Sequence, residues 1–253
     1  MAINKALFLL CFSLFYLSVA AQRPFWNKLS IEFEGKNKHD HQYKRDDNPA
    51  SLANYSDYTT WSWGILLNYR MNKNLSVESG FMREQFFTSW DITNKFTGYE
   101  LFMVANMIPF RLNVEIPVLK LGKKHLWVTP SCGYTLGLNG TYDILVGSEV
   151  SQYQSLDGQS VYTRYLRRFK EYNLARTFSL LECRAQVRYP LSKTLSVYAG
   201  GGYAYGPKAI AYTKISYSYQ GQPAENVINE NRGTHYYLNI GLRFHIGSLI
   251  ADH

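Results

Sequence analysis

Apolar and polar residues alternate strictly along residues 236–246. One face of an extended strand would carry Tyr236, Leu238, Ile240, Leu242, Phe244 and Ile246. The other face would carry Tyr237, Asn239, Gly241, Arg243 and His245. Such a segment, at about 3.3 Å per residue, is long enough for a tilted strand to cross a bilayer. The pattern is typical of a transmembrane β-barrel, in which lipid contacts one face and a polar lumen the other.

The same alternation recurs along the chain and predicts eight strands. They span about residues 26–36, 59–71, 75–88, 108–118, 125–138, 174–189, 194–206 (or up to 219) and 236–246. Short turns at 72–74, 122–124 and 190–193 alternate with longer polar segments at 37–58, 89–98, 139–173 and 220–233. The order predicts an all-β, up-and-down antiparallel barrel with short periplasmic turns, long outer loops and both termini in the periplasm. Pro109 predicts a bulge or an interrupted pairing in the fourth strand.

The residues on the two faces of the predicted strands decide between two kinds of barrel. A soluble lipocalin-like barrel holds apolar ligands and needs an apolar interior. In this chain the apolar face is rich in aromatic residues, including Trp61, Trp63 and Tyr134, whereas the other face is charged. Lipid on the outside therefore fits the pattern better.

The N-terminus predicts export from the cytoplasm. Lys5 is the only charged residue among the first 21, and residues 6–19 form an apolar run. Val19, Ala20 and Ala21 follow, with the small residues that a signal peptidase recognises. We expect residues 1–21 to be a cleavable signal peptide and residues 22–253 to form one outer-membrane barrel domain.

Composition agrees with this class of protein and argues against others. The chain has 16% aromatic residues and 21 tyrosines, and no later segment reads as a membrane-spanning helix. Its net charge of +8 is spread along the chain without a recognisable nucleic-acid module, so we expect contact with anionic lipid headgroups and not with nucleic acid. Cys132 and Cys183 are expected to face lipid, either as free thiols or as a cross-strand disulfide.

The predicted inward face carries equal numbers of acids and bases. These ten residues are Glu32, Glu34, Arg70, Glu78, Arg111, Glu115, Glu182, Arg184, Arg188 and Arg243. An eight-stranded barrel is just wide enough for side chains to fill. Because unpaired charges are costly in such a space, we expect a structural network of salt bridges and no catalytic, cofactor-binding or metal-binding site. Inward Gly200 and Gly202 are expected to make room for bulky neighbours across the lumen.

Two polar segments carry candidate chemistry of another kind. His39, Asp40 and His41, with Asp46 and Asp47, have the residue types of a metal site, although a charged surface loop accounts for them more simply. A second group lies in the 139–173 segment and would meet phosphates of lipopolysaccharide or an acidic partner: Arg164, Arg167, Arg168 and Lys170.

Several short motifs resemble the PorT-like family of small outer-membrane β-barrels, which are related in architecture to the OmpA-type membrane domain. They are residues 114–118 (VEIPV), 132–134 (CGY), 200–203 (GGGY) and 239–244 (NIGLRF), in that order over nearly the whole mature chain. The resemblance implies an integral protein of the outer membrane of a Gram-negative bacterium, with no cofactor and no catalytic residues. It also implies, for some members, an association with protein secretion.

The function expected from the sequence is therefore non-enzymatic. Loops 37–58 and 139–173 would contact a protein partner or lipopolysaccharide, because function concentrates on loops held by a rigid scaffold. Two alternatives remain. One is a lipid-modifying enzyme with His125 or His235 as its base, and the other is a channel for small solutes.

Overall fold

The computed structural model describes residues 23–46, 53–54, 58–92, 98–139, 146–153, 163–173, 177–218 and 225–247. These residues form one short helix, α1 (Arg23–Trp26), and thirteen strands. The strands are β1 (Leu29–Asp46), β2 (Ala53–Asn54), β3 (Tyr58–Arg70), β4 (Leu75–Ile92), β5 (Gly98–Val114), β6 (Ile116–Leu121), β7 (Lys124–Asn139), β8 (Val146–Tyr153), β9 (Thr163–Asn173), β10 (Thr177–Pro190), β11 (Leu195–Tyr205), β12 (Ala211–Ser218) and β13 (Glu225–His245). Within this part of the chain, no helix is both long and apolar enough to span a membrane.

Eight of these strands close into a barrel. Their order is β1-β3-β4-β5-β7-β10-β11-β13, and β13 returns to pair with β1. All the pairings are antiparallel, and each strand of the barrel pairs with the next barrel strand along the chain. The strands β2, β6, β8, β9 and β12 lie between barrel strands in the sequence but are not part of the closed ring. The eight-stranded antiparallel barrel predicted from the alternation is confirmed.

The strands are longer than the sequence predicted at one end of the barrel. β1 continues to Asp46 and β4 to Ile92, and β13 already begins at Glu225. The prediction of irregular loops over residues 37–46, 89–92 and 225–233 was therefore wrong. The segment 139–173 was also wrongly predicted to be irregular, since it contains β8 and β9.

β8, β9 and β12 extend the sheet beyond the barrel. β12 pairs with the first seven residues of β13, from Glu225 to Asn231, while β9 pairs with β12 and β8 pairs with β9. On its other edge, the same part of β13 pairs with Gln42–Asp46 of β1. We call this side of the barrel the long-loop end.

The opposite side, the short-turn end, is built from tight hydrogen-bonded turns. In the turn after β3, Oδ1 of Asn72 accepts hydrogen bonds from the backbone N–H groups of Asn74 and Leu75, both at 2.9 Å. In the turn after β10, Oγ of Ser192 accepts from Thr194 and Leu195 in the same way. These are the side-chain-to-backbone bonds for which Asn and Ser are favoured in turns. The first and last described residues lie at this end too, because Gly247 packs against Asn27.

Pro109 interrupts one ladder without shifting its register. The partners of β4 and β5 stop at Ser79 and Phe110 and resume at Met82 and Met107. Proline has no N–H to donate, so the pairing is lost at this point, as the sequence predicted. On the other edge of β5, Pro109 still lies opposite Thr135. The fourth predicted strand also ends earlier than expected, since it breaks at Glu115 before β6 begins.

Candidate functional site: the interior of the barrel

The outer surface of the barrel is apolar and exposed. Trp61, Leu238 and Ile240 expose 68%, 71% and 61% of their surface, although each lies in the middle of a hydrogen-bonded strand. Exposure of this many large apolar side chains around a closed sheet would be strongly unfavourable in water. It is favourable in lipid. The exterior is that of a transmembrane β-barrel.

The interior contains the charges that the inward parity predicted. Nine of the ten predicted residues are buried in the barrel, and the tenth, Arg70, has a side chain that is 42% exposed at the short-turn end. Four more charged residues are buried with them and were not in the predicted set: Lys36, Lys38, Asp40 and Glu84. Lys36 and Glu84 share the inward parity of their predicted strands, so the signal for them was present. Lys38 and Asp40 fell in a segment that was wrongly predicted to be a loop.

β1 carries inward charges from one end of the barrel to the other, and these charges belong to three successive clusters. The mouth cluster, nearest the short turns, consists of Glu32, Arg70, Glu115, Arg188 and Arg243. The central cluster consists of Glu34, Glu78, Arg111, Glu182 and Arg184. The lysine cluster, nearest the long-loop end, consists of Lys36, Lys38, Asp40 and Glu84.

Glu115 holds the mouth cluster together. Its Oε1 lies 2.7 Å from Nη1 of Arg243, and its Oε2 lies 2.9 Å from Nη2 of Arg188. Nη2 of Arg70 approaches the same Oε2 at 3.4 Å. Arg243 also contacts its cross-strand neighbour Glu32, with 2.8 Å between Nε and Oε1, in an orientation that makes an ion pair without a hydrogen bond. The break after β5 places Glu115 here, since its backbone N–H donates to the carbonyl of Asn74 in the first short turn.

Two arginines bridge three carboxylates in the central cluster. Arg111 contacts Glu78 at 2.6 Å and Glu182 at 2.8 Å. Arg184 contacts the second oxygen of Glu78 and, at 3.0 Å, Oε2 of Glu34. Planar guanidinium groups suit this role because each offers several donors in a fixed geometry. Two tyrosine hydroxyls complete the cluster, since Tyr198 donates to Glu34 and Tyr237 donates to Glu182.

The lysine cluster connects to the central one. Nζ of Lys36 lies 3.2 Å from Glu84 and 3.3 Å from Glu182. Nζ of Lys38 lies 2.9 Å from Asp40 and sits 3.7 Å above the ring of Phe86. The other oxygen of Asp40 accepts a hydrogen bond from the backbone N–H of Phe87 at 3.0 Å. Each buried lysine therefore has a carboxylate partner and an aromatic face within reach.

An apolar cluster also lies in the interior of the barrel, and the sequence did not predict it. Its members are Leu66, Met82, Phe86, Ala105, Met107, Phe178, Leu180, Ala204 and Ile210. Phe86 and Phe178 make an edge-to-face contact with 5.6 Å between ring centroids. Ile210 comes from the segment between β11 and β12 and closes the cluster. The described interior is thus packed with side chains, both ion-paired and apolar.

The residues considered as candidate metal ligands do not converge. Asp40 points into the barrel, whereas His39 and His41 lie on the outer face of the same strand, and Asp47 is outside the described residues. Among the residues that the structure describes, no group of three or more His, Cys, Asp or Glu side chains could hold a metal ion. Because successive side chains of a strand point to opposite faces, His39 and His41 cannot approach Asp40 as they could in a loop.

The candidate histidines have different surroundings. His125 is exposed at the start of β7. His235 is buried, with Nδ1 2.8 Å from the carbonyl of Gly233 and Nε2 4.0 Å from Glu84. His245 lies at the short-turn end, where its ring nitrogens contact the hydroxyls of Ser30 at 2.9 Å and Ser196 at 3.3 Å.

No family model matches the chain, and no curated protein matches its sequence. The chain also matches solved structures at low sequence identity, among them the following three. The outer-membrane protein OprG from Pseudomonas aeruginosa is 13% identical, with a TM-score of 0.42, and the match covers 86% of this chain and 95% of that one. The N-terminal β-barrel domain of OprF from the same species is 10% identical, with a TM-score of 0.37 and coverages of 85% and 96%. The outer-membrane protease OmpT from Escherichia coli is 10% identical, with a TM-score of 0.35 and coverages of 85% and 96%. The closed barrel and its filled interior are features of the structure of this chain itself.

Proposed function

We propose that the protein is an integral, non-enzymatic barrel of the outer membrane of a Gram-negative bacterium, which contacts a partner through its long-loop end. The observation that carries this proposal is the filled interior of the barrel, together with a sheet that continues past the barrel at its long-loop end. A packed lumen offers little room for substrate or solute. The extended strands instead provide a rigid platform for recognition.

The orientation follows from the same asymmetry. Short turns belong in the periplasm and long connections outside the cell, so both chain termini are periplasmic. Residues 1–21, which lie outside the described part, serve as a cleaved signal peptide. Membership of the PorT-like family, and with it a role as an accessory to protein secretion, agrees with the order of the four sequence motifs.

The partner surface comprises the segments 37–58 and 139–173, which the structure describes in part as β1, β8 and β9. Four basic residues in β9 suit the phosphates of lipopolysaccharide or an acidic protein: Arg164, Arg167, Arg168 and Lys170. Crosslinking and pull-down from intact cells should recover a specific partner. Replacing residues 140–176 by a short turn should abolish recovery and leave the heat-modifiable barrel intact. Equal recovery by both forms would contradict a role for this end.

The channel alternative makes an opposite prediction for conductance. In planar bilayers the purified barrel should give no large, steady current, because buried ion pairs and the apolar cluster occupy the interior. A porin-like current would show that the lumen is open and that passive diffusion is the function. Mass spectra of lipid A test the enzyme alternative. We expect deletion of the gene to leave the acyl pattern unchanged. A changed pattern that the wild-type gene restores, but His125→Ala or His235→Ala does not, would overturn the proposal.

A further inference from the structure

A cavity of about 510 Å³ opens at the short-turn end of the barrel, and Arg70, Arg188 and Lys193 contribute cationic groups to its wall. Its lining includes Arg70, Arg188, Lys193 and His245, together with the hydroxyls of Ser192 and Ser196. Trp127 forms an apolar part of the wall, and the guanidinium of Arg188 lies 5.5 Å from the centre of its ring. Among the described residues that line this cavity, none carries a carboxylate.

The charges of the interior are balanced overall but not evenly distributed. In the mouth cluster, three arginines face two glutamates, which leaves one positive charge in excess. In the central and lysine clusters together, four cations face five carboxylates: Lys36, Lys38, Arg111 and Arg184 against Glu34, Asp40, Glu78, Glu84 and Glu182. The excess cation is therefore located next to the cavity, where Lys193 adds another positive charge.

The three short turns increase this polarity. They carry Lys73, Lys123 and Lys193, and none of their residues, 71–74, 122–123 and 191–194, is acidic. A concave site lined by one sign of charge and backed by low-dielectric protein concentrates the field that it presents to solvent. Within the described part of the chain, the charges around this mouth therefore favour the approach of an anion.

The guanidinium of Arg188 is buried beside this cavity. Its side chain is only 5% exposed, yet its Nε has no hydrogen-bond partner in the structure, while its Nη2 is engaged by Glu115. A buried guanidinium donor without a partner is costly. Arg70, in contrast, contacts the shared Glu115 at 3.4 Å and keeps 42% of its side chain exposed, so it can turn towards a ligand.

We propose that this mouth is a binding site for a small oxyanion, namely a carboxylate or phosphate group presented from the periplasm. Arg188 and Arg70 provide the guanidinium donors, Lys193 adds a point charge, and the hydroxyls of Ser192 and Ser196 complete the polar lining. Guanidinium groups bind both kinds of oxyanion through paired N–H donors. The site goes beyond the proposed function, on which it depends only for the compartment that it faces.

Calorimetric titration of the purified, folded barrel in zwitterionic detergent tests the proposal with two probes, inorganic phosphate and acetate, against sodium chloride at matched ionic strength. We expect saturable binding of at least one probe. Arg70→Gln and Lys193→Gln should each weaken it about tenfold, the equivalent of about 1.4 kcal/mol. A preference for phosphate would identify phosphorylated lipid or sugar as the source of the group, and a preference for acetate a carboxylate-bearing molecule such as a peptide.

Two matched variants control for loss of charge alone. Lys73→Gln removes a lysine from another short turn that does not line the cavity, and Lys208→Gln removes an exposed lysine between β11 and β12. Both should bind the probe like the wild type. The absence of saturable binding by either probe, or equal losses in all four variants, would overturn the site. Neither result would alter the barrel topology or the partner surface at the long-loop end, which have their own tests.

Discussion

Gly202 lies directly opposite Tyr237 in the ladder between β11 and β13, and the phenol ring of Tyr237 occupies the space that a side chain at position 202 would need. The Cβ of Arg184 borders the same space from β10. Tyr237 thereby reaches Glu182, to which its hydroxyl donates, and its ring lies 4.3 Å from Nζ of Lys36. The sequence predicted that Gly202 makes room for a bulky neighbour. That neighbour is on the adjacent strand and not across the lumen.

Gly202→Ala should destabilise the barrel by about 1–3 kcal/mol, because the added methyl group would force Tyr237 or the backbone of β10 to move. Gly35→Ala is the matched control, since a Cβ at that position meets no atom closer than 4.0 Å. The measurement is urea-induced unfolding of the barrel in lipid or detergent. Equal stability of the two variants would show that the ring of Tyr237 adapts without cost.

Arg111→Met should cost far more than Arg70→Met. Arg111 is buried and bridges Glu78 and Glu182, so its removal takes one close cationic partner from each of two buried carboxylates, at a cost of about 3–5 kcal/mol. Arg70 is partly exposed and shares Glu115 with two other arginines, so its loss should cost less than about 1 kcal/mol. Chemical unfolding of both variants under one set of conditions provides the comparison. Similar losses of unfolding free energy in the two variants would mean that the central cluster contributes no more to stability than the mouth cluster does.

The sequence revealed strands only where their two faces contact different surroundings. In β13, residues 236–242 alternate because one face meets lipid and the other the lumen. Beyond residue 36, β1 has Lys38, Asp40 and Gln42 inside but His39 and His41 outside. Both faces are polar there, so the binary pattern disappears although the strand continues. The sequences of β8 and β9 also lack a regular alternation of apolar and polar residues, so this segment was predicted to be a loop.

The sequence predicted which charged residues lie in the interior, but it did not predict which of them contact each other. Inward parity identified Glu182 and Arg111, yet Lys36 and Glu182 are 146 positions apart, and only closure of the barrel brings them together. The apolar cluster was missed for a related reason. Leu66 lies between the apolar outward residues Ile65 and Leu67, so polarity does not distinguish the two faces of this stretch.

Asp40→Ala should destabilise the long-loop end of the barrel. The change would leave the buried backbone N–H of Phe87 without its acceptor and Nζ of Lys38 without its carboxylate at 2.9 Å, which together cost about 3 kcal/mol or more. His41→Ala, on the outer face of the same strand, should have an effect of less than about 1 kcal/mol. Hydrogen exchange at β1 and β4 would locate the loss. Equal exchange rates at β1 and β4 in Asp40→Ala and in the wild type would contradict a stabilising role for this carboxylate.

Cys132 and Cys183 should form a disulfide on mild oxidation without disturbing the barrel. They are direct cross-strand partners on β7 and β10, both exposed on the outer face, with their sulfur atoms 2.8 Å apart. An added oxidant such as diamide would accept the two electrons and two protons that leave the thiols as the S–S bond forms. The bond would close a loop of about 50 residues and stabilise the protein by about 2–4 kcal/mol in the chain-entropy account. Mass spectrometry of alkylated peptides, with and without reductant, measures the bond. Cys183→Ser should remove both the crosslink and the gain in stability, whereas two thiols that remain fully alkylatable after oxidation would show that this pair cannot close.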